Sequence, residues 1–308
     1  MNTVNSVDTP VAHSAMNPAP KFAPDPALNR VYRRRLWSHR FGMALSFLAM
    51  AVGLGFLAWI LATLLYKGFS AVNLAMFTET TPAPGSTGGG LKNAIFGSLM
   101  IVGVGTLIST PIGILAGIYL SEYGEVSRFA QVTRFVTDIM LSAPSIVVGL
   151  FVYAIYVANV HHFSGWAGSV AISLIAIPVV VRATDNMLNL VPINLREAAF
   201  ALGAPRWKVA LMVRLRAVKA GVLTGVLLAV ARISGETAPL LFTAFGNQFF
   251  SKDMNGPMAN LPLVINQFTM SADDNWITIG WGASLLITFS VLGLNILSRM
   301  ASSEKAHA

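Results

Sequence analysis

The sequence predicts an all-α, polytopic membrane protein with six transmembrane helices and both termini in the cytoplasm. Three observations carry that prediction. Of 308 residues, 55% are apolar and only 11% are charged, with a mean hydropathy of +0.65. A soluble domain averages about 25% charged residues, so this chain cannot cover a globular surface with solvating groups. Six apolar stretches approach or exceed the roughly 20 residues that cross a hydrocarbon core. The basic residues are also spread very unequally over the segments between those stretches. Together these features exclude a soluble enzyme and a nucleic-acid-binding domain, despite a net charge of +8. Cysteine is absent, which excludes a disulfide framework, a Cys-based metal site and a thiol nucleophile.

The spans are expected at 41–65, 94–120, 139–160, 166–181, 220–245 and 276–297. Each is apolar nearly all round, as a helix among lipids and other helices must be. Pro144 and Pro178 each remove a helix donor and can bend their spans. With the N-terminus inside, seventeen basic residues fall on the cytoplasmic side and only Lys67, Lys92 and Lys252 on the other. That asymmetry orients the bundle. Residues 1–40 read as a disordered basic cytoplasmic tail, 41–65 as the first span, 91–300 as the core and 301–308 as a second tail. On the outer side, Gly88-Gly89-Gly90 reads as a flexible connector, and His161-His162 as a wet turn that lacks the further ligands a metal needs.

The cytoplasmic connection at about 182–219 is far longer than a helix hairpin requires. Within it Pro192-Ile193-Asn194-Leu195-Arg196-Glu197 opens a short helix, with Asn194 as expected N-cap and Glu197 at N3. Ala198, Ala199, Phe200, Ala201 and Leu202 continue it with strong helix formers, and Gly203 stops it. The product is a small-faced helix with an exposed aromatic at Phe200. By composition alone it could lie on the membrane or dock onto a cytoplasmic partner.

Its spacing is more specific. Glu197-Ala198-Ala199, then Gly203, then Val213, Leu215 and Arg216 resembles the EAA loop of bacterial ABC-transporter permeases. Arg216 stands where that family usually has Pro, leaving the helix free to run on into the fifth span. The resemblance implies the type I ABC importer permease fold, with Glu197, Ala198, Ala199 and Gly203 coupling to a separate ATPase. A P-loop needs a lysine after a glycine, and none of the seven lysines follows one. ATP and Mg therefore belong to the partner, and this chain is expected to bind no cofactor and to be no enzyme itself.

Inside the fifth span, Arg232 and Glu236 are four apart and expected on one helix face. Counted from residue 220 they lie roughly 18 and 24 Å along it, near or just beyond the middle of a core about 30 Å thick. An unpaired charge there costs at least about 2.5–3.5 kcal/mol, so the pair should face protein or a water-filled path. A guanidinium, always charged and forked, suits an oxyanion cargo. A structural ion pair is the alternative reading.

The run Ala231-Arg232-Ile233-Ser234-Gly235-Glu236-Thr237-Ala238-Pro239 resembles the PstA-type permeases of phosphate uptake systems. Gly113-Ile114-Leu115-Ala116-Gly117 through Tyr123, and Ala143-Pro144-Ser145-Ile146, are similar to that family too. The likeness covers about 91–300. It implies a permease for inorganic phosphate in the bacterial cytoplasmic (inner) membrane, paired with a sister permease, two cytoplasmic ATPase subunits and an outer phosphate-binding protein. Another oxyanion (sulfate, molybdate, phosphonate) is the alternative cargo. An ion-coupled secondary transporter ranks below it, because only one intramembrane carboxylate is visible and no internal repeat.

Overall fold

A computed structural model describes residues 26–124 and 127–303. Among these residues the chain is helical, and the only β feature is an isolated bridge between Phe245 and Met258. It divides into two compact units, Met1–Trp59 and Ile60–Ala308. The first unit contributes the greater part of helix α1 (Pro26–Ala71), whose apolar residues, among them Trp37, Phe41, Phe47 and Phe56, are exposed. Residues 26–40 were expected in a disordered tail and are helical instead. No Pro or Gly interrupts the chain between Pro26 and Gly42, and Pro26 stands in the first turn, where its missing N–H costs nothing. The remainder of that expected tail, residues 1–25, lies outside the described residues, as do 304–308 of the C-terminal one.

The second unit is organised around α2 (Lys92–Tyr123) and α5 (Gly165–Asn189). On α2 every fourth residue from Asn93 to Gly117 is buried, and four of these seven are Gly97, Gly105, Gly113 and Gly117. The glycines in this row let the two backbones approach closely. A Cβ added at Gly113 would stand 2.6 Å from the Cβ of Val180, so only glycine fits there. Ser169 adds a cross-helix bond, donating to the Ile101 carbonyl at 3.2 Å. Around the contact, Ile101, Ile172, Ile175 and Val180 form one core with Val226, Ile233, Leu240 and Leu263.

The third expected span is sharply bent. α3 (Arg128–Ser142) and α4 (Ser145–Val160) meet at 106°, with Pro144 at the corner preceding α4. Residues 139–142 thus belong to a different helix from the rest of the expected span, because Pro holds Ala143 extended at ψ 136°. α3 is amphipathic and sided; it buries Ala130 and Thr137 and exposes Phe129, Val132 and Phe135. Pro178, by contrast, sits inside an unbroken α5 that runs on past Arg182 to Asn189. Pro178 is buried within the bundle, where membrane helices tolerate a proline.

After α6 (Ile193–Ala201) and a π-helical turn (Val209–Arg214), α7 (Lys219–Ile233) carries the fifth span for only 15 residues. It stops at Ser234 and resumes as α8 (Ala238–Thr243). α9 (Leu261–Thr269) and α10 (Asp274–Ser303) complete the unit. Among the described residues four helices are long and apolar enough to cross a membrane, or five if α3 and α4 count as one span. The expected fifth span, 220–245, is not among them, because it is divided into α7 and α8.

The two ends of the bundle differ. At one end the chain before α2 is tied to the chain after α8. Asn93 Nδ2 donates to Thr81 Oγ1 at 2.9 Å and to the carbonyls of Asn247 and Gln248 at 2.9 and 3.0 Å. The Gly88–Gly90 segment, expected to be a flexible connector, is pinned. Asn275 Nδ2 donates to the Ser86 and Gly88 carbonyls, and Gly89 N–H donates to Glu79 at 3.1 Å. The glycines at 88 and 89 supply positive φ (82° and 94°) rather than slack. Asp273 closes the same loop. It accepts from Gly85 N–H at 2.7 Å and caps α10 through Asn275 and Trp276 N–H. The Gly85 bond, with help from Trp276 and Asn275 and against partial desolvation, holds its pKa below the usual aspartate value.

Replacing Gly113 by leucine should destabilise the purified permease in detergent by about 1–3 kcal/mol through overpacking, read as a lowered Tm. Val180→Ala in the same chain should recover part of that loss, and Gly103→Ala, with open space around it, should leave Tm unchanged. Because the Asp273 pKa is depressed in the fold, its contribution is complete above the unfolded value and is lost as pH falls through the folded one. A fluorine label on Trp276 should therefore report loop release only at acid pH, and Asp273→Asn should remove that acid transition.

Candidate functional site

The opposite end carries the 190–218 loop and much of the fold's positive charge. α6 begins at Ile193 behind Pro192 and has no side-chain cap. Asn194 is therefore the second residue of the helix instead of its cap; Pro192 already fixes the entry, and its carbonyl accepts from Leu195 N–H at 3.2 Å. Glu197 and Ala198 are exposed and Ala199 half-buried. Phe200, expected to be exposed, is half-buried and lies 5.7 Å from the Arg196 guanidinium. The apolar tip is Leu202 instead, at 89% exposure.

Gly203 ends α6 at φ 78°. Its N–H donates to the Phe200 carbonyl at 2.9 Å and Ala204 N–H donates to Ala199 at 3.2 Å, the paired bonds of a Schellman close. A Cβ at Gly203 would meet nothing within 4 Å, so the demand for glycine is one of backbone angle alone. The four residues of the motif thus form one exposed knob with a defined end. Beyond it, Val209, Ala210 and Arg214 are buried against the bundle. The helix does not run smoothly into α7: Val218 interrupts it with φ −109° and ψ 14°.

Arg232 and Glu236 come together across the gap in the fifth span. Arg232 Nε stands 3.9 Å from Glu236 Oε1, with the side chains 45% and 16% exposed. They do not share a continuous helix face as their spacing suggested, because α7 ends at Ile233 and Glu236 lies in the non-helical link. Each charge suits its place. Arg232 sits in the last turn of α7, where the helix dipole is negative, and Glu236 just precedes α8, where it is positive. Within the gap Gly235 and Glu236 N–H donate to the Arg232 and Ile233 carbonyls at 3.2 and 3.3 Å, and such irregular backbone is tolerated at membrane depth where it is buried in protein or faces water.

Sequence reasoning missed the ion pairs at the loop end. Arg134 Nη2 lies 3.1 Å from Asp185 Oδ2 and Arg182 Nη2 lies 2.9 Å from Asp138 Oδ1. These pairs reciprocally join α3 to α5. Arg214 forms a third with Glu122, and its side chain is only 6% exposed. The available signal was an Arg followed by Asp at helical spacing on both helices, 134/138 and 182/185; it was absorbed into the count of membrane-flanking charges. For Arg214 no local signal exists, since its partner is 92 residues away. Among the described residues no group of three or more His, Asp or Glu could hold a metal. His161 is in the left-handed region at φ 61° where α4 ends, beside exposed His162.

Comparison with known proteins agrees with this architecture. Residues 109–301 match the model of the family described as binding-protein-dependent transport system inner membrane component. The phosphate transport system permease protein PstA of Pasteurella multocida is 58% identical over 278 residues, covering 90% of this chain and 99% of that one. The Haemophilus influenzae protein of the same name is 57% identical, covering 90% and 97%. PstA 1 of Mycobacterium tuberculosis is 35% identical over 82% of this chain. Among solved structures, an inward-facing form of the MetNI methionine ABC transporter aligns with a TM-score of 0.55 at 17% identity. It covers 68% of this chain and 93% of that one, a likeness of fold. The chain belongs to the binding-protein-dependent transport system inner membrane components and, among them, to the PstA-type permeases.

Proposed function

We propose that this chain is the membrane permease subunit of an ATP-driven importer of inorganic phosphate. In this reading it lies in the bacterial cytoplasmic membrane and pairs with a sister permease. Two cytoplasmic ATPase subunits complete the assembly, one of them docking on α6, and an outer phosphate-binding protein delivers the cargo. The observation that carries the reading is a half-exposed arginine at a break in a membrane span, with one carboxylate beside it. Facing hydrocarbon, such a guanidinium would cost several kcal/mol, so its open side belongs to a water-filled path shared with the sister subunit. There it offers forked donors to a phosphate oxygen. Glu236, 3.9 Å away, offsets the charge between transport events and keeps the site weak enough to release its cargo. The names of relatives at 57–58% identity support phosphate over other oxyanions.

The knob of α6 supplies the other half. Glu197, Ala198 and Ala199 present a small face that a groove on an ATPase can enclose, and the Gly203 turn fixes the direction in which the chain returns to the bundle. ATP and Mg act on that partner, and this chain transmits the resulting movement.

Arg232→Gln should lower ATP-driven phosphate uptake by about 10–150-fold, the value of a lost charge-assisted hydrogen bond, with unchanged amounts of permease in the membrane. Uptake at the wild-type rate would refute the role given to Arg232, and equal competition by sulfate or molybdate would move the cargo to another oxyanion. Gly203→Val, which forces a β-branched residue to positive φ, should cut uptake about tenfold while the ATPase still binds and hydrolyses. Gly203→Asn should keep most of the activity, because asparagine tolerates that conformation.

A further inference from the structure

One line of hydrogen bonds crosses the loop end of the bundle. It starts at Arg214 in the π-helical turn, whose guanidinium pairs with Glu122 and donates to Ser121 Oγ at 2.7 Å and to the Leu188 carbonyl at 2.9 Å. Ser121 Oγ donates in turn to Asn189 Oδ1 at 3.0 Å. Asn189 Nδ2 donates to Asp185 Oδ1 at 3.1 Å, and Arg134 Nη2 donates to Asp185 Oδ2 at 3.1 Å. The line leaves the loop that follows α6, touches the ends of α2 and α5, and finishes on α3, about two turns before the 106° corner.

Stability alone does not account for it. A buried ion pair can often be replaced by apolar side chains without loss, and Val209 and Ala210 already seat the same turn by apolar burial. What a polar line provides is directionality. Apolar contacts slide past one another by rotamer changes, whereas a hydrogen bond is lost within a few tenths of an ångström beyond about 3.2 Å. In a low-dielectric interior such bonds also reinforce one another.

We propose that this line is a mechanical linkage. A displacement of α6 is passed through Arg214, Ser121, Asn189 and Asp185 to Arg134, which repositions α3 and so resets the corner with α4. Arg214 is a positioning residue: it touches neither ATP nor cargo. The inference rests on α6 being the ATPase-contacting helix.

The test uses the full complex, reconstituted in liposomes with its ATPase and binding protein. Asn189→Ala breaks the line at its middle and leaves the Arg214–Glu122 pair intact; Ser121→Ala breaks it one step earlier. Both should keep hydrolysis per complex near wild type and lower phosphate moved per ATP by about tenfold, within the range by which coupling residues act. Arg214→Lys, which keeps the charge without the fork, should fall between. Because the chain has no cysteine, spin labels at Gln131→Cys and Arg216→Cys are the only ones it carries. Their separation should change when ATP is added to the otherwise unmodified complex and stay fixed in Asn189→Ala. Uptake and hydrolysis falling in proportion, or equal label movements in both proteins, would overturn the linkage. Absence of phosphate uptake by the wild-type complex would remove the cargo reading alone, and the label distances, read without cargo, would still decide the linkage.

Discussion

Inside a bilayer a lipid tail is as apolar as a leucine, so burial of oily surface does little to hold one helix against another. The seating of α2 on α5 therefore has to come from shape. A row at every fourth position of α2, glycine or serine at five of its seven places, lets the backbones close until Val180 fills the space beside Gly113. The rest of the second unit is arranged on that pair. α7 packs on α5 with Gly225 beside Ala183. α4 reaches α8 at Gly149, against Pro239. Had α2 carried bulk in that row, α5 would stand farther off and the ion pairs at its lower end would lose their reach.

Electrostatics divides the molecule differently. At the loop end three ion pairs tie α3 to α5 and α2 to the turn that follows α6, and one of them, Arg214–Glu122, is almost wholly covered, at 6% and 10% exposure. At the break in the fifth span there are two charges, and one of them is only half covered by this chain. A fully satisfied pair rigidifies; a partly open one can exchange partners. The first arrangement suits a joint, and the second a path.

Much of this was legible in the sequence. The apolar runs located α2 and α10 within a few residues, because a membrane helix of that length tolerates the glycines and the Pro111 that α2 carries. The spacing from Glu197 to Gly203 located the knob, because left-handed geometry at a helix end selects glycine strongly. The misplacements share a cause. Pro144 and Pro178 look alike as letters, yet Pro144 opens a helix at a corner and Pro178 lies within one, and only the packing around each tells them apart. Asn194 is a good cap by type but follows a proline that already fixes the entry. The Arg232–Glu236 spacing suggested a continuous face, and the Ser-Gly link between them broke the helix while keeping the charges close. The Arg214–Glu122 pair was invisible, since its members are distant in sequence and neither stands out among the other flanking charges.

The corner between α3 and α4 has a consequence for the membrane itself. α4 has 16 residues, Ser145 to Val160, with a π-helical turn at Tyr153–Val157, and even at the α-helical rise of about 1.5 Å each it would measure only about 24 Å. α7 has 15 residues before its gap. Both fall short of a hydrocarbon core about 30 Å thick, and shorter spans draw the bilayer thinner or admit water at their ends. α4 meets α8, and thus the far side of the gap, at Gly149 and Pro239. In the proposed phosphate path, that thinning would lower the dielectric barrier beside Arg232 before any subunit moves.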